Sequence, residues 1–257
     1  MKSHLRVLMN AAESGGAVLR QYFGKTLRVT RKSSAADFRT KADIESNAEI
    51  KSVLKSSGLG DFNIISEETG IESRGSDYTL IIDSLDGTNN FTIGLPYFAV
   101  AIALVKNREV VAAVVNDPML RRVYCAEKGE GAYLNGQQIS VGREQNITRA
   151  TVSYICGYQN SRENWLRLDQ NLTDLGVKRK TGFWCPALDF CQLASGKIES
   201  VINVNHELHD VVPGKFIARE AGAIITDLRG EIDRDACQHR FVASCSRKIH
   251  KAILTAV

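Results

Sequence analysis

The sequence predicts an α/β protein, with an α+β first half and an α/β second half. Three observations point there. Apolar residues near the start recur at helical spacing. Residues 99–134 carry β-rich runs separated by short turn signals. After about residue 140, helical and strand-like segments alternate, the pattern of a sheet covered by helices. The expected division is 1–140 and 141–257, with no repeat and no low-complexity linker.

Each element follows from a local pattern. Leu5, Leu8, Met9, Ala12, Val18, Leu19 and Phe23 keep helical spacing, and Gly24 is a stop signal. Residues 27–31 alternate as a strand, and residues 43–54 fit a second amphipathic helix. Short buried strands are expected at 63–65 and 78–82. The apolar runs 99–106 and 109–115 flank Asn107-Arg108 and predict a hairpin. Residues 123–127 and 131–134 continue a meander toward the turn signal Asn135-Gly136. Beyond it the order is strand 151–155, helix 163–175, helix 187–194, strand 199–204, helix 210–221 and strand 223–226.

With 257 residues, 44% of them hydrophobic, the chain has enough apolar material for a sizeable core. Its formal net charge is +4 and it has no long run of like charge, so nothing in the balance calls for a nucleic-acid surface. The Arg121-Arg122 and 178–180 basic clusters read as solvated faces. The six cysteines show neither CxxC nor zinc spacing. No signal-type apolar region opens the sequence, and no run reaches the length of a membrane span. The expectation is a soluble cytoplasmic protein with free thiols.

Four acidic segments carry the chemistry: DFRTKAD (residues 37–43), SEET (66–69), DSLDGT (83–88) and LHD (208–210). The second and third follow the apolar runs NII and LII, so their carboxylates sit at strand ends and can converge at one sheet edge. Carboxylates that approach closely cannot all stay ionised without a cation between them. Mg²⁺ suits such a place because it prefers oxygen ligands. In DSLDGT the turn also brings the Leu85 carbonyl toward Asp83 and Asp86. Gly87 permits a tight turn, and Thr88 starts a short helix whose N-terminus attracts phosphate. A metal and a phosphoryl group can thus lie side by side, as metal-assisted phosphate ester hydrolysis requires. Structural accounts stand beside these: a helix cap for Thr40 and Asp43, a solvated turn for Glu67-Glu68, a plain turn at Asp83-x-x-Asp86-Gly87, and an N-cap at Asp210.

In this order the segments resemble the inositol monophosphatase family. That family carries D-x-x-T-x-x-D, then G-E-E, then W-I-I-D-P-L-D-G-T-x-N-F-x-x-G-x-P, then W-D-x-A-[AG]-G; here they read DFRTKAD, SEE, LIIDSLDGTNNFTIGLP and HDVVPG. KSSAAD before the first motif and PALDFCQLASGKIESVI add support. The resemblance implies a layered αβαβα sandwich, a lithium-sensitive Mg²⁺-dependent phosphomonoesterase using two or three ions, with Mn²⁺ as a substitute, and a homodimer. It also implies roles. Glu67, Asp83 and the Leu85 carbonyl hold a first ion, and Asp83, Asp86 and Asp210 share a second. Asp43 and Thr88, with Glu67, make the catalytic set that orients and deprotonates water. Gly87 and Thr88 amides bind phosphate, and Asp86 and Asp210 approach the substrate's hydroxyls.

Departures bear on the substrate. Ser84 stands for the usual proline, Ser66 for a glycine and His209 for a tryptophan. Trp184-Cys185-Pro186 replaces small residues that line the family's pocket, and Asn203 stands where inositol-hydrolysing members often carry glutamate. Cys185 and Asn203 are therefore expected to touch the substrate. Ser195-Gly196-Lys197 lacks the remaining residues of a nucleotide P-loop. The expected activity is hydrolysis of an inositol, sugar or polyol phosphate. Alternatives are 3′-phosphoadenosine 5′-phosphate, fructose 1,6-bisphosphate or histidinol phosphate, or a regulatory protein that binds RNA and the transcription machinery.

Overall fold

The computed structural model describes residues 3–31, 38–58, 61–156, 161–232 and 240–257. The KSSAAD stretch (residues 32–37), including Asp37 of the first acidic motif, lies outside these residues, as does Cys237.

Helices α1 (Ser3–Tyr22) and α2 (Lys41–Ser56) pack together on one face of an eight-stranded sheet. A two-stranded ribbon, β1 (Val29–Arg31) with β2 (Phe38–Thr40), leads into α2. The large sheet is built from β3 (Asn63–Ser66), β4 (Gly70–Glu72), β5 (Tyr78–Asp86), β6 (Ala99–Lys106), β7 (Glu109–Asp117), β8 (Arg122–Glu127), β9 (Ala132–Leu134) and β10 (Gln137–Ile139). Its order is β10-β9-β8-β7-β6-β5-β3-β4, and only the β3–β5 pair is parallel. Helix α3 (Thr88–Ile93) follows β5 directly.

A five-stranded sheet comes next in the chain, with order β12-β11-β13-β15-β14. Its members are β11 (Thr151–Cys156), β12 (Arg179–Thr181), β13 (Ser200–Val204), β14 (Ile224–Asp227) and β15 (Arg240–Ser244). Helices α5 (Pro186–Ala194) and α6 (Leu208–Glu220) lie between the sheets: α6 packs on β5 to β8, and α5 touches β6, β7 and β13. On the far side, α7 (Arg247–Leu254) covers β15, and α4 (Arg162–Asp174) sets Trp165 against Tyr154 of β11. The layers run α, β, α, β, α.

Alternation on β6 shows how the sequence specifies this sandwich. Val100, Ile102 and Leu104 face the core under α1 and α2, while Ala99, Ala101 and Ala103 face the α5–α6 layer. Both faces are covered, so the strand reads as a continuous apolar run. The small face lets the middle helices come close.

The expected hairpin forms, with Asn107 (φ 51°) and Arg108 (φ 65°) both left-handed, as its two-residue turn demands. Asn135 and Gly136 do the same between β9 and β10. One boundary differs from expectation. The strand predicted at 78–82 continues to Asp86 through a register shift between Asp83 and Asp86. Pairing with β6 carries it past the point where the apolar run stops. Strands β4 and β12 are short edge strands with polar or exposed residues. Such edges are held by backbone pairing and leave little periodicity to read.

Candidate metal centre

The register shift in β5 builds the site. Asp83 pairs with Ala101, and Asp86 with Ala99. Three residues of β5 thus advance against two of β6, which is a β-bulge. In a regular strand, residues three apart point to opposite faces. The extra residue puts both aspartates on one side, where carboxylate oxygens of Asp83, Asp86 and Asp210 lie within 4.8 Å of one another. A second group, Glu67, Asp83 and His209, meets the same limit, so Asp83 belongs to both.

Each acid is delivered by a different element. Glu67 follows β3 and donates its N–H to the Ile82 carbonyl of β5 (3.3 Å). Asp210 sits in the first turn of α6. Asp86 Oδ2 accepts from the Ala187 N–H (2.7 Å) and the Cys185 thiol (3.1 Å), at the N-terminus of α5. Asp83 Oδ1 accepts from the Leu85 N–H (2.9 Å). Two serines tie these strand ends to α2. Ser84 donates to the Asp43 carbonyl (3.0 Å), and Ser66 donates to Asn47 Oδ1 (3.0 Å).

The electrostatics are those of a site short of positive charge. Asp83 is 1% exposed, and its Oδ2 receives no hydrogen bond. Burial, then the charges of Glu67, Asp86 and Asp210, push its carboxyl well above the usual range. Burial and Asp210 do the same to Asp86. Burial also works upward on Asp210, but the adjacent His209 and His206 hold it down at about 2. A divalent cation fits this donor set, because it would satisfy the orphaned oxygen and relieve the repulsion at once.

Asp43 has two jobs. Thr40 is the N-cap of α2, and its N–H (2.8 Å) and hydroxyl (2.6 Å) both donate to Asp43 Oδ2. The Thr88 hydroxyl reaches Oδ1 (3.2 Å) and also the Leu85 carbonyl (3.0 Å). The helix-cap account of Asp43 and its placement at the site therefore hold together. Burial pushes the Asp43 carboxyl up to about 6. Between these groups Gly87 takes φ 90°, and a Cβ there would stand 3.0 Å from the Tyr97 carbonyl oxygen, so only glycine fits without strain.

The inositol monophosphatase family model matches residues 1–257. The chain belongs to the inositol monophosphatase family. It is 31% identical to a fructose-1,6-bisphosphatase/inositol-1-monophosphatase of Aquifex aeolicus, over 96% of this chain and 97% of that protein. It is 34% identical to the Nus factor SuhB of Vibrio cholerae, over 99% and 95%. Among solved structures, the Thermotoga maritima IMPase superposes with a TM-score of 0.90 at 25% identity, covering 99% of this chain and 96% of that one. Phosphatase chemistry and metal dependence hold at the level of the family, in keeping with the acidic cluster. Among the described residues no helix is long and apolar enough to cross a membrane.

In this member of the inositol monophosphatase family, the residues singled out as departures are placed in both buried and exposed positions. Cys185 and Asn203, expected to contact substrate, are both 0% exposed. The Cys185 thiol is turned onto Asp86, and Asn203 lies in β13 between β11 and β15. Neither offers surface to a substrate. Trp184 is instead 61% exposed and holds φ 54°, an uncommon conformation for a bulky residue. It is fixed on both sides, since the Phe183 carbonyl accepts from Asn90 and Cys185 bonds Asp86.

Sequence reasoning overlooked His206, whose Nδ1 lies 2.8 Å from Asp210 Oδ2. It also overlooked Asp189, buried beside Asp86 and bonded by Tyr97 (2.7 Å) and Ser153 (2.7 Å). The stretch NHELHD held a signal for His206, four residues before Asp210.

Proposed function

We propose that the protein is a Mg²⁺-dependent phosphomonoesterase acting on a small phosphorylated polyol or sugar. The observation that carries this reading is Asp83: buried, shared by two acidic groups, and left with an unpartnered oxygen. Glu67, Asp83, Asp86, Asp210 and the Leu85 carbonyl would hold the cations. When bound, these supply positive charge to the phosphoryl oxygens and lower the pKa of water.

The residues of the chain divide the rest of the work. Thr88 donates to Asp43 Oδ1, which leaves its oxygen free to accept a hydrogen bond from the attacking water. Asp43, with a carboxyl near 6, takes the water's proton near neutral pH. The water oxygen bonds to phosphorus as the ester oxygen leaves and is protonated from solvent. Gly87 and Thr88 amides steady the phosphate, and Asp86 and Asp210 face the substrate's hydroxyls. No covalent nucleophile is needed.

Phosphate release should be measured over inositol, sugar, nucleotide and histidinol phosphates, with Mg²⁺, with Mn²⁺ and in excess chelator. Release only with the cation is expected, and full activity in chelator sinks the mechanism. The SuhB-named relatives, 34% identical, support a second reading as a regulatory protein. Activity on no substrate, with binding to RNA polymerase or RNA, would favour it.

A further inference from the structure

We propose that His209 is a nitrogen ligand of the cation held beside Glu67 and Asp83, so that this site prefers Mn²⁺ over Mg²⁺. The proposal rests on the metal-dependent reading above and deepens it.

Four observations converge. His209 has a ring nitrogen within 4.8 Å of carboxylate oxygens of both Glu67 and Asp83. Its Nε2 stands 4.0 Å from Glu67 Oε2 and 3.4 Å from Asp210 Oδ1. Ligands that share a cation through bonds of about 2.1 Å lie roughly 3 to 4 Å apart, so the ring is already at donor spacing. His209 is 8% exposed in the first turn of α6, so it stays packed against the acids. The opposite ring nitrogen, Nδ1, points toward the Glu207 carboxylate at 3.9 Å. That contact is too long for a hydrogen bond and Glu207 is exposed, so it is Nε2, on the side of Glu67 and Asp210, that stands where a cation would be; a metal bound there leaves the ring proton on Nδ1. Independently, Asp83 Oδ2 is buried in the same group without a donor, which marks the place as built for a ligand.

His206 is the rival nitrogen source. Its Nδ1 already lies 2.8 Å from Asp210 Oδ2, which makes it a positioning residue for that carboxylate. The preference for Mn²⁺ follows from ligand type. Mg²⁺ takes oxygen ligands; Mn²⁺ shares its liking for carboxylates but, as a first-row transition ion, also accepts a nitrogen ligand, so an imidazole beside the acids tips the balance toward Mn²⁺.

The test is pulsed electron paramagnetic resonance on the full chain loaded with Mn²⁺, alongside calorimetric titration with Mn²⁺ and Mg²⁺. Wild type should show coupling to a directly bound nitrogen. The coupling should vanish in His209→Gln and His209→Trp and persist in His206→Gln. The ratio of Mn²⁺ to Mg²⁺ affinity should fall about tenfold in the His209 variants. Circular dichroism confirms that each variant is folded; should His209→Trp fail to fold, His209→Gln and His206→Gln carry the assignment. Absence of nitrogen coupling in wild type, or its persistence in His209→Gln, overturns the proposal. If His209 only neutralises the acids as a cation, both affinities shift together without a nitrogen signal, which also overturns it. A clear nitrogen signal with no phosphatase activity would count against the proposed function alone.

Discussion

At Asp83 the needs of folding and of chemistry oppose each other. Its carboxyl is buried among Glu67, Asp86 and Asp210, and burial with those charges pushes it well above the ordinary 3.8 of a free aspartate. A raised folded-state value means the native form binds protons more tightly than the unfolded chain. Its stabilising contribution is therefore present in acid and is lost as pH rises from 3.8 toward that raised value. At neutral pH without metal, the ionised group is a cost. Asp83→Asn should raise the melting temperature in chelator by about 2–4 °C per kcal/mol relieved, and cut phosphate release at least about a hundredfold. A calorimetric scan in chelator beside a phosphate assay checks both; an unchanged or lower melting temperature contradicts the repulsion argument. Asp83 and Asp86 were legible in sequence because an apolar strand rarely ends in two acids and a glycine by accident. His206 was not, since its contact with Asp210 depends on how the chain turns into α6. Cys185 was placed at the pocket by the family resemblance alone, which cannot say that its thiol points onto Asp86.

Among the elements, α5 and α6 set the geometry of the site through one close crossing. A Cβ at Gly214 of α6 would stand 2.9 Å from the Ala187 carbonyl oxygen and 2.9 Å from Phe190 Cβ. Ala187 also donates to Asp86, and α6 carries Asp210. Gly214→Val should therefore destabilise the fold by about 1–3 kcal/mol through overpacking. It should also lower activity more than a core substitution of equal cost remote from the crossing, such as Leu19→Ala in α1. Denaturant melts and kcat for the pair decide this; equal activity at equal stability would show that the crossing does not position the acids. Most helices and the β6–β7 hairpin were readable because periodicity and turn chemistry are local. The extension of β5 through its bulge was not, because it is dictated by pairing with β6. The polar stretch Arg179–Thr181 likewise becomes strand β12 only by parallel pairing with β11.

Over the whole molecule, the acidic cluster joins β3, β5 and α6, and it is braced by α2 and α5, so a cation there should tighten the entire sandwich. Binding to the native state alone adds about 2.7 kcal/mol at a hundredfold excess over Kd. Protons compete for the same carboxylates. Asp43 lies beside them with a value raised from 3.8 to about 6, and Asp83 and Asp86 are also raised. The stabilisation by Mg²⁺ should thus be small near pH 4 and grow as pH rises through about 6. His250, bonded to Thr226 and Ser244 away from the cluster, has its pKa lowered by burial. Its own contribution is complete above 6.5 and fades as pH falls below that. That contribution is common to the metal-bound and metal-free proteins and cancels in the difference. Melting curves at several pH values, with Mg²⁺ and with chelator, isolate the cluster; a pH-independent difference would disprove the linkage. The shared bonds of Asp43 have a further consequence. The carboxylate that closes the first turn of α2 is also the one that faces Thr88. With Asp43 as the proposed base, a chain that has not finished winding that helix would have none to offer, so a half-assembled copy would be silent, and an error at this position would remove activity and shape together.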